Sequence, residues 1–329
     1  MSAAAIAKKV VPTRIYRKLS KLRHYPAHLG AWLFDDTMDG AHSSMRLSQR
    51  MNPRDFARRR AAMLEVGAKS PDRISFAAGH LIANWSAKPV VAAAVARGQA
   101  FAETLDFPAM AAKASKPFLL SAPIDPNDPA NAPIYDLAAD PLLLAPIASY
   151  LGSYPVLNGA RIWYSPNTYL EANRSQFFHL DDEDYRQVKC YVLLDEVDSD
   201  TGPFTLIPAA ASRAIYGVLG NLGLSQKRNQ KFTDEKFAEA KALAGQGTVR
   251  PVEIVGPTGT VGMVDTNNCY HFGSRPGKRR RLLLFLHYYS AFSRELPFWN
   301  RRYRKVPGGP EAQLLNGLSH LSIDGMRGY

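Results

Sequence analysis

Short apolar runs separated by Gly, Pro and Asp dominate the chain between residues 160 and 290. Residues 187–197, QVKCYVLLDEV, are rich in β-branched and apolar side chains and are long enough for a buried strand. In residues 281–290, RLLLFLHYYS, both alternating faces are mostly apolar, which is typical of a strand covered on both sides. Shorter strands are predicted at residues 203–208, 259–265 and 269–272. Such short strands with frequent turns predict an antiparallel sandwich or barrel.

Helical patterns occupy the first part of the chain, residues 1–135. Asn52 is placed to cap a helix that begins at Pro53 and ends at Gly67. Residues 89–105 are rich in Ala, the residue with the highest helix propensity. The fold class is therefore predicted to be α+β, with helices and an antiparallel core in separate parts of the sequence.

The turn-rich segment at residues 125–133, DPNDPANAP, predicts a boundary between these parts. The chain then divides into an N-terminal helical region that packs on the core, the core itself and a tail, at residues 1–135, 136–293 and 294–329. Residues 136–152 predict one more helix before the strands. An insertion at residues 214–250 contains a helix capped by Thr233 and ended by Gly245. It is a candidate lid over the site, with a packed surface helix as the alternative.

Three side chains with metal-binding groups fall on predicted strands. His179 and Asp181 are two residues apart, so in an extended segment at residues 176–181 they point to the same side. His271 lies in a later predicted strand. A His-x-Asp motif alone occurs by chance in many proteins, and a single His is usually structural. Two His and one carboxylate together are the ligand set of non-haem Fe(II) oxygenases, which leaves metal positions open for a co-substrate and O₂.

Two segments, residues 175–213 and 265–288, resemble the phytanoyl-CoA dioxygenase-like branch of the Fe(II)/2-oxoglutarate oxygenases. The resemblance rests on the His-x-Asp motif, a following strand, the triplet Gly-Pro-Phe at residues 202–204, the distal His271 and an Arg about ten residues later. The segment at residues 208–213 departs from the family pattern, which has Gly and His there. The resemblance implies a double-stranded β-helix core, also called a jelly roll or cupin-like fold. It also implies Fe(II), 2-oxoglutarate as co-substrate, and O₂.

The resemblance further assigns roles to individual side chains. His179, Asp181 and His271 would be the metal ligands, and Arg281 would bind the distal carboxylate of 2-oxoglutarate by two parallel hydrogen bonds. Arg280 is the alternative to Arg281. Lys189 is a second candidate for the carboxylate, unless it is a surface Lys at the edge of a strand.

The implied activity is that of a dioxygenase that hydroxylates a substrate while 2-oxoglutarate is converted to succinate and CO₂. Related halogenating enzymes have a small residue in place of the carboxylate ligand, so Asp181 favours hydroxylation. The same site in related enzymes also performs desaturation, cyclisation or epimerisation, and the sequence does not separate these outcomes. A different class of function is a non-catalytic barrel that binds an anionic ligand or a membrane surface.

The chain has a net charge of +12, and its basic residues concentrate before Asp35, at residues 54–60 and at residues 294–305. No nucleic-acid-binding motif accompanies them, so the expected partner is a small-molecule substrate, and the charge favours an anionic one of sugar or lipid type. Contact of the basic N-terminus with an anionic membrane is a second expectation. No run of eighteen apolar residues is present, and Cys190 and Cys269 are both in apolar strands. These features predict a cytoplasmic protein with reduced thiols.

Overall fold

A computed structural model describes residues 37–167, 174–226, 228, 230–293 and 314–316. The basic segment before Asp35, the basic cluster at residues 294–305 and most of the C-terminal tail lie outside the described residues. The expected membrane contact of the N-terminus therefore also falls on residues that are not described.

Eight α-helices and nine strands follow one another along the described part of the chain. The helices are α1 (Met38–Met51), α2 (Pro53–Gly67), α3 (Pro89–Glu103), α4 (Phe107–Lys113), α5 (Ala132–Ala139), α6 (Pro141–Leu151), α7 (Ala209–Val218) and α8 (Asp234–Leu243). The strands are β1 (His80–Asn84), β2 (Leu120–Pro123), β3 (Val156–Ser165), β4 (Gln187–Leu193), β5 (Phe204–Leu206), β6 (Val252–Ile254), β7 (Thr260–Val264), β8 (His271–Phe272) and β9 (Arg281–Tyr289).

The strands form two antiparallel sheets, one large and one small. The large sheet has the order β1-β7-β4-β9-β3-β2, and the small sheet has the order β6-β5-β8. Apolar side chains from both sheets share one buried cluster, which includes Tyr191 of β4, Phe285 of β9, Phe204 of β5 and Ile254 of β6. The two sheets therefore face each other as in a jelly roll, and together with the helices they make an α+β fold whose sheets are not closed into a barrel.

Strand β9 shows how the sequence pattern produces this layering. Leu283 and Phe285 point between the two sheets, whereas Leu284 and Leu286 point to the other face and join the main core. All nine residues of β9 are buried, which confirms the prediction of a strand covered on both sides. The outer face of the large sheet is covered by helices α3, α5 and α6, whose buried side chains belong to the same core as Leu284.

The helix boundaries follow local signals in the sequence. Helix α2 begins at Pro53 and ends at Gly67, as predicted, but the side chain of Asn52 makes no capping hydrogen bond and instead donates to the carbonyl of Ser48 at 2.8 Å. Thr233 caps α8 by accepting a hydrogen bond from the backbone N–H of Lys236, also as predicted. The single helix predicted at residues 136–152 is instead the pair α5 and α6, bent by 48°. Asp140 caps the second helix of this pair, and Pro141 cannot continue the first because it lacks a backbone N–H.

Two strands of the large sheet come from the region for which the sequence predicts helices. Strand β1 pairs with β7, and β2 pairs with β3. Both are short, and their partners are distant in sequence, so the pairing is not visible in the local pattern. Among the described residues no single helix has the length and hydropathy of a membrane span, and only the bent pair α5 and α6 passes that test by length and composition.

Candidate metal centre

The two histidines are held together by the backbone. The segment that follows a short 3₁₀ helix (Arg174–Gln176) runs antiparallel to β8. The backbone N–H of His179 donates to the carbonyl of His271 at 3.1 Å, and the N–H of His271 donates to the carbonyl of His179 at 3.0 Å. The two imidazole rings consequently lie side by side, with centroids 4.3 Å apart and with both side chains buried.

Both imidazole rings are oriented by the same local hydrogen bond. Nδ1 of His179 lies 2.8 Å from the carbonyl oxygen of Phe177, and Nδ1 of His271 lies 2.9 Å from that of Cys269. A carbonyl oxygen only accepts, so each Nδ1 carries the proton and each Nε2 keeps a free lone pair. The Nε2 atoms of His179 and His271 lie 3.8 Å and 3.6 Å from the two carboxylate oxygens of Asp181.

Asp181 completes a set of three ligand atoms within 4.8 Å of one another, an arrangement that could hold one metal ion. Its backbone N–H donates to the carbonyl of Thr266 at 2.9 Å, which fixes the residue beside the turn that precedes β8. Burial alone would raise the pKa of the Asp181 carboxyl, but Lys189 and the two histidines outweigh burial and hold that pKa below its usual range. The carboxylate is therefore charged at neutral pH.

Burial has the opposite effect on the two histidines. It lowers the pKa of His179, and it lowers the pKa of His271 to about 3, although Asp181 acts to raise both. Both rings are therefore neutral at neutral pH, which is the form that binds a metal. The site combines two neutral imidazoles with one carboxylate, so it matches the charge state of a 2-His-1-carboxylate centre.

A second group of polar side chains lies against the carboxylate. Lys189, on the inward face of β4, places its Nζ 2.5 Å from Asp181 Oδ2 and 3.7 Å from Glu183 Oε1. Gln187, two residues earlier, donates from Nε2 to Glu183 at 3.0 Å and to Thr266 Oγ1 at 2.9 Å. Its Oε1 lies 2.6 Å from Nε2 of His287 on β9. This network supports Asp181 from the side of the large sheet.

The turn between β7 and β8 fixes the acidic loop that follows Asp181. Asn267 donates to the carbonyl of Asp184, and Asn268 donates to that of Tyr185 at 2.8 Å. Asp265, at the start of the turn, accepts from Asn268 and from the hydroxyl of Tyr150, at 2.8 Å and 2.7 Å. The loop is thus tied to the turn that leads into β8, the strand that carries His271.

Arg281 lies at the start of β9 with only 3% of its surface exposed. Its Nη1 donates to the carbonyl of Gly202 at 2.6 Å, and its Nη2 donates to Ser274 Oγ at 2.7 Å and to Ser165 Oγ at 3.3 Å. These partners are neutral, and among the described residues no carboxylate forms an ion pair with it. Among the described residues, the Nε of Arg281 has no hydrogen-bond partner. Burial lowers the pKa of Arg281 to about 10, so the guanidinium remains charged.

The metal-binding triad and Arg281 line one cavity of about 330 Å³. Aromatic side chains of Trp163, Tyr191 and Phe204 form part of its wall. The remaining lining residues are mostly polar or charged: Lys116, Leu119, Ser175, Asp182, Glu183, Lys189, Lys231, Gly273 and Ser274. A volume near the lower end of the range for small-molecule sites suits a small ligand or one end of a larger one.

No family model and no curated protein matches this chain. Several solved structures are similar. One is EctD from S. alaskensis with 2-oxoglutarate and 5-hydroxyectoine, at 20% identity and a TM-score of 0.46, covering 68% of this chain and 78% of that one. Another is the non-heme alpha ketoglutarate dependent epimerase SnoN from nogalamycin biosynthesis, at 13% identity and a TM-score of 0.42, covering 76% and 93%. A third is HygX from Streptomyces hygroscopicus with nickel and 2-oxoglutarate, at 18% identity and a TM-score of 0.39, covering 65% and 84%.

All three TM-scores lie below 0.5. These similar proteins are 2-oxoglutarate-dependent or 2-oxoglutarate-binding proteins by their own descriptions. The more specific resemblance to the phytanoyl-CoA dioxygenase-like branch has no matching family model and stays a prediction.

The structure brings together all five residues named from the sequence: His179, Asp181, Lys189, His271 and Arg281 line the same cavity. Arg280, the alternative to Arg281, points to the surface, where its Nε lies 3.7 Å from Asp195. Lys189 is buried and faces inward, so it is not the edge-strand surface residue considered as an alternative.

Sequence reasoning missed the other polar residues of the site. Gln187 and His287 share strand parity with Lys189 and Arg281, so the alternation of β4 and β9 carried a signal for both. Lys116 and Lys231 come from irregular segments, where no periodicity indicates direction, and nothing in the sequence marked them. Asp182 and Glu183, which directly follow Asp181, are half-buried and also line the cavity.

Proposed function

We propose that this chain is an Fe(II)- and 2-oxoglutarate-dependent dioxygenase that hydroxylates a small molecule. The observation that carries the proposal is the pairing, in one cavity, of a 2-His-1-carboxylate set with a buried Arg that has only neutral partners. A structural metal site would need no such Arg, and a structural Arg would need no such metal site. The combination suits a co-substrate with an anionic end that reaches the guanidinium while its other end reaches the metal.

The donor set fits Fe(II) in three respects. Both Nε2 atoms are available, because the Nδ1 atoms are engaged with backbone carbonyls. The set contains nitrogen and oxygen donors and no sulfur, since Cys269 contacts the carbonyls of Ala78 and Gly79 instead. Three protein ligands also leave positions on an octahedral ion for a co-substrate and O₂, which a closed four-residue zinc site would not.

The surroundings of Arg281 fit the distal carboxylate of 2-oxoglutarate. A buried guanidinium with only neutral partners is stabilised most by binding a carboxylate, because its planar N–H groups match the two carboxylate oxygens. Ser165 and Ser274, whose hydroxyls lie 2.8 Å apart beside Arg281, offer further donors to the same group. Lys189 is another cation of the cavity, and its ammonium lies 2.5 Å from Asp181 Oδ2. We therefore assign it to the ligand carboxylate and to the nearby co-substrate together.

The bound metal and 2-oxoglutarate would supply the activation of O₂ and the oxidation of substrate, with release of succinate and CO₂. The residues of this chain position and shield that chemistry. His179, His271 and Asp181 would hold the ion on one side, and Lys189 would offset the charge of Asp181. The aromatic wall formed by Trp163 and its neighbours would exclude water from the space above the ion.

The insertion at residues 214–250 contributes to the cavity through Lys231, and we propose it as the segment that covers the site. It packs on the metal-binding segment, because Phe237 of α8 stacks on Phe178 with ring centroids 3.9 Å apart. The residue next to Phe178 is His179, so this contact joins the cover directly to a metal ligand.

Metal and co-substrate binding test the proposal together. Purified protein should bind one Fe(II) under anaerobic conditions and should convert 2-oxoglutarate to succinate in air, slowly in the absence of the true substrate. His179→Ala should abolish both, because two remaining ligands no longer hold the ion. His80→Ala is the matched control, since Nδ1 of His80 also bonds to the carbonyl two residues earlier, at 3.0 Å, but the residue does not line the cavity.

The competing functions give different results in the same experiment. A non-catalytic anion-binding barrel would bind polyanions equally well with His179→Ala and would form no succinate with any substrate. Product mass separates the oxidative outcomes: hydroxylation adds one oxygen atom, desaturation and cyclisation remove two hydrogens, and epimerisation leaves the mass unchanged. Metal binding without succinate across a broad substrate panel would refute the proposal.

A further inference from the structure

Three cations from three separate segments meet at the outer part of the cavity. Lys116 lies in the loop between α4 and β2, Lys231 lies just before α8, and Arg174 lies in the 3₁₀ helix before His179. Lys116 and Lys231 line the cavity. Arg174 donates from Nη1 to the carbonyl of Ser115 at 2.9 Å, which brings its guanidinium next to Lys116. We refer to Lys116, Lys231 and Arg174 as the rim cations.

The rim cations bring several positive charges together at one place in the cavity. Among the described residues, no carboxylate forms an ion pair with Lys116. Partial burial lowers the pKa of Lys116, and the charges of Lys231 and Arg174 lower it further, although Asp181 acts to raise it. A cluster of like charges at the mouth of a cavity creates a potential that attracts an anion.

Two acidic side chains of the cavity, Asp181 and Glu183, are ion-paired with Lys189 on the metal side. The Nζ of Lys189 lies 2.5 Å from Asp181 Oδ2 and 3.7 Å from Glu183 Oε1, so these two negative charges are grouped around that buried ammonium. The cavity is therefore polarised, with the acids and Lys189 inside and the rim cations outside. A ligand that spans the cavity with one anionic end would place that end at the rim.

A second hollow of about 430 Å³ extends the rim outward. It shares Lys116 and Leu119 with the metal-containing cavity and continues along Met110, Lys113 and Leu120. Lys116 thus stands between the two hollows and can contact a ligand that enters from either one. Part of a substrate can remain in the outer hollow while the reacting end approaches the metal.

We propose that the rim cations form a substrate-recognition site for an anionic group, a carboxylate or a phosphate, on a small molecule whose reacting carbon points to the metal. Lys116 and Lys231 are the specificity residues, and Arg174 supports the loop that carries Lys116. The part of the proposal that concerns substrate rests on the proposed oxygenase function. The presence of an anion site at the rim does not.

The test measures binding of inorganic phosphate, and separately of acetate, to the full-length protein by isothermal titration in the presence of saturating 2-oxoglutarate. The double variant Lys116→Gln/Lys231→Gln should weaken binding of the preferred anion by roughly tenfold or more, because two charge-assisted hydrogen bonds are lost. Lys236→Gln is the matched control, as an exposed Lys of α8 whose Nζ lies 2.9 Å from Glu239. It should change binding less than twofold.

The outcomes separate this inference from the proposed function. Loss of anion binding in the double variant with unchanged 2-oxoglutarate binding supports the rim site, and the stronger of the two probes identifies the group as phosphate or carboxylate. Equal weakening by Lys236→Gln, or anion binding that is lost only with Arg281→Gln, would overturn it. If the protein forms no succinate but the double variant still loses phosphate binding, the oxygenase proposal fails and the anion site stands.

Discussion

Replacement of Arg281 by Met separates its proposed binding role from a structural one. The change removes the guanidinium but keeps an unbranched apolar chain that fills much of the same space. Hydrogen bonds to a charged group contribute about 1.5–3 kcal/mol each, so loss of a two-bond contact to 2-oxoglutarate costs about 3 kcal/mol or more. At about 1.4 kcal/mol per factor of ten, the dissociation constant of 2-oxoglutarate should rise about 100-fold.

The stability of the unliganded protein should change little. Arg281→Met removes the bonds to Gly202, Ser274 and Ser165, which contribute about 1.5–3 kcal/mol each because the guanidinium is charged. The same substitution removes a buried charge without an acidic partner, and burial of such a charge costs several kcal/mol. The two effects oppose each other, so Tm without ligand should stay within a few degrees of wild type.

Anaerobic isothermal titration of the Fe(II)-loaded protein with 2-oxoglutarate measures the first quantity, and thermal unfolding with and without the co-substrate measures the second. At 100 times its dissociation constant, 2-oxoglutarate should stabilise the wild-type protein by about 2.7 kcal/mol and the variant by far less. Arg280→Met is the matched control, because Arg280 is the adjacent residue and its side chain is 59% exposed. Binding by Arg281→Met within twofold of wild type, or an equal loss in Arg280→Met, would refute the reasoning.

Two further substitutions test the support of the site. Gln187→Leu should lower the free energy of unfolding by about 1–3 kcal/mol, because His287 loses its buried hydrogen-bond partner. It should also weaken metal binding by about 10–100-fold, because Asp181 loses the hydrogen bond from Gln187. An unchanged metal affinity, measured by titration, would contradict this prediction. Gly202→Ala should cost about 1–2 kcal/mol for its left-handed backbone, φ +60°, with a further cost because the added Cβ meets the carbonyl of Arg275. Its control is Gly220→Ala, whose Cβ has no atom within 4 Å, and equal Tm values for the two variants would argue against the strain.

The predictable part of the fold is the part with local signals. Strands β4 and β9 were visible because a run covered on both faces has few polar positions, and Pro53 and the cap at Thr233 marked the starts of their helices. Strand β1 carries no comparable signal. Its five residues form a strand because they pair with residues 260–264 of β7, which lie about 180 residues away in the sequence.

The metal ligands were predictable for a different reason. His179 and Asp181 are neighbours in sequence, so their alternation alone placed them on one side of a strand. The partners that surround them come from other segments. Gln187 contacts Thr266, and Lys116 and Lys231 line the same cavity, only because the chain folds back on itself. Charge at the rim is a property of the assembled cavity, and net charge of the whole chain did not locate it.

The reciprocal backbone hydrogen bonds between His179 and His271 also set a kinetic limit. A metal ion held by both rings cannot leave easily while the two segments stay paired, since each ring is fixed to its own backbone by an Nδ1 contact. Opening of this short ladder would separate the two rings, and it is a local unfolding event with its own free energy. The lifetime of a bound metal would therefore depend on local opening of the fold at this pair as well as on the strength of the coordination bonds.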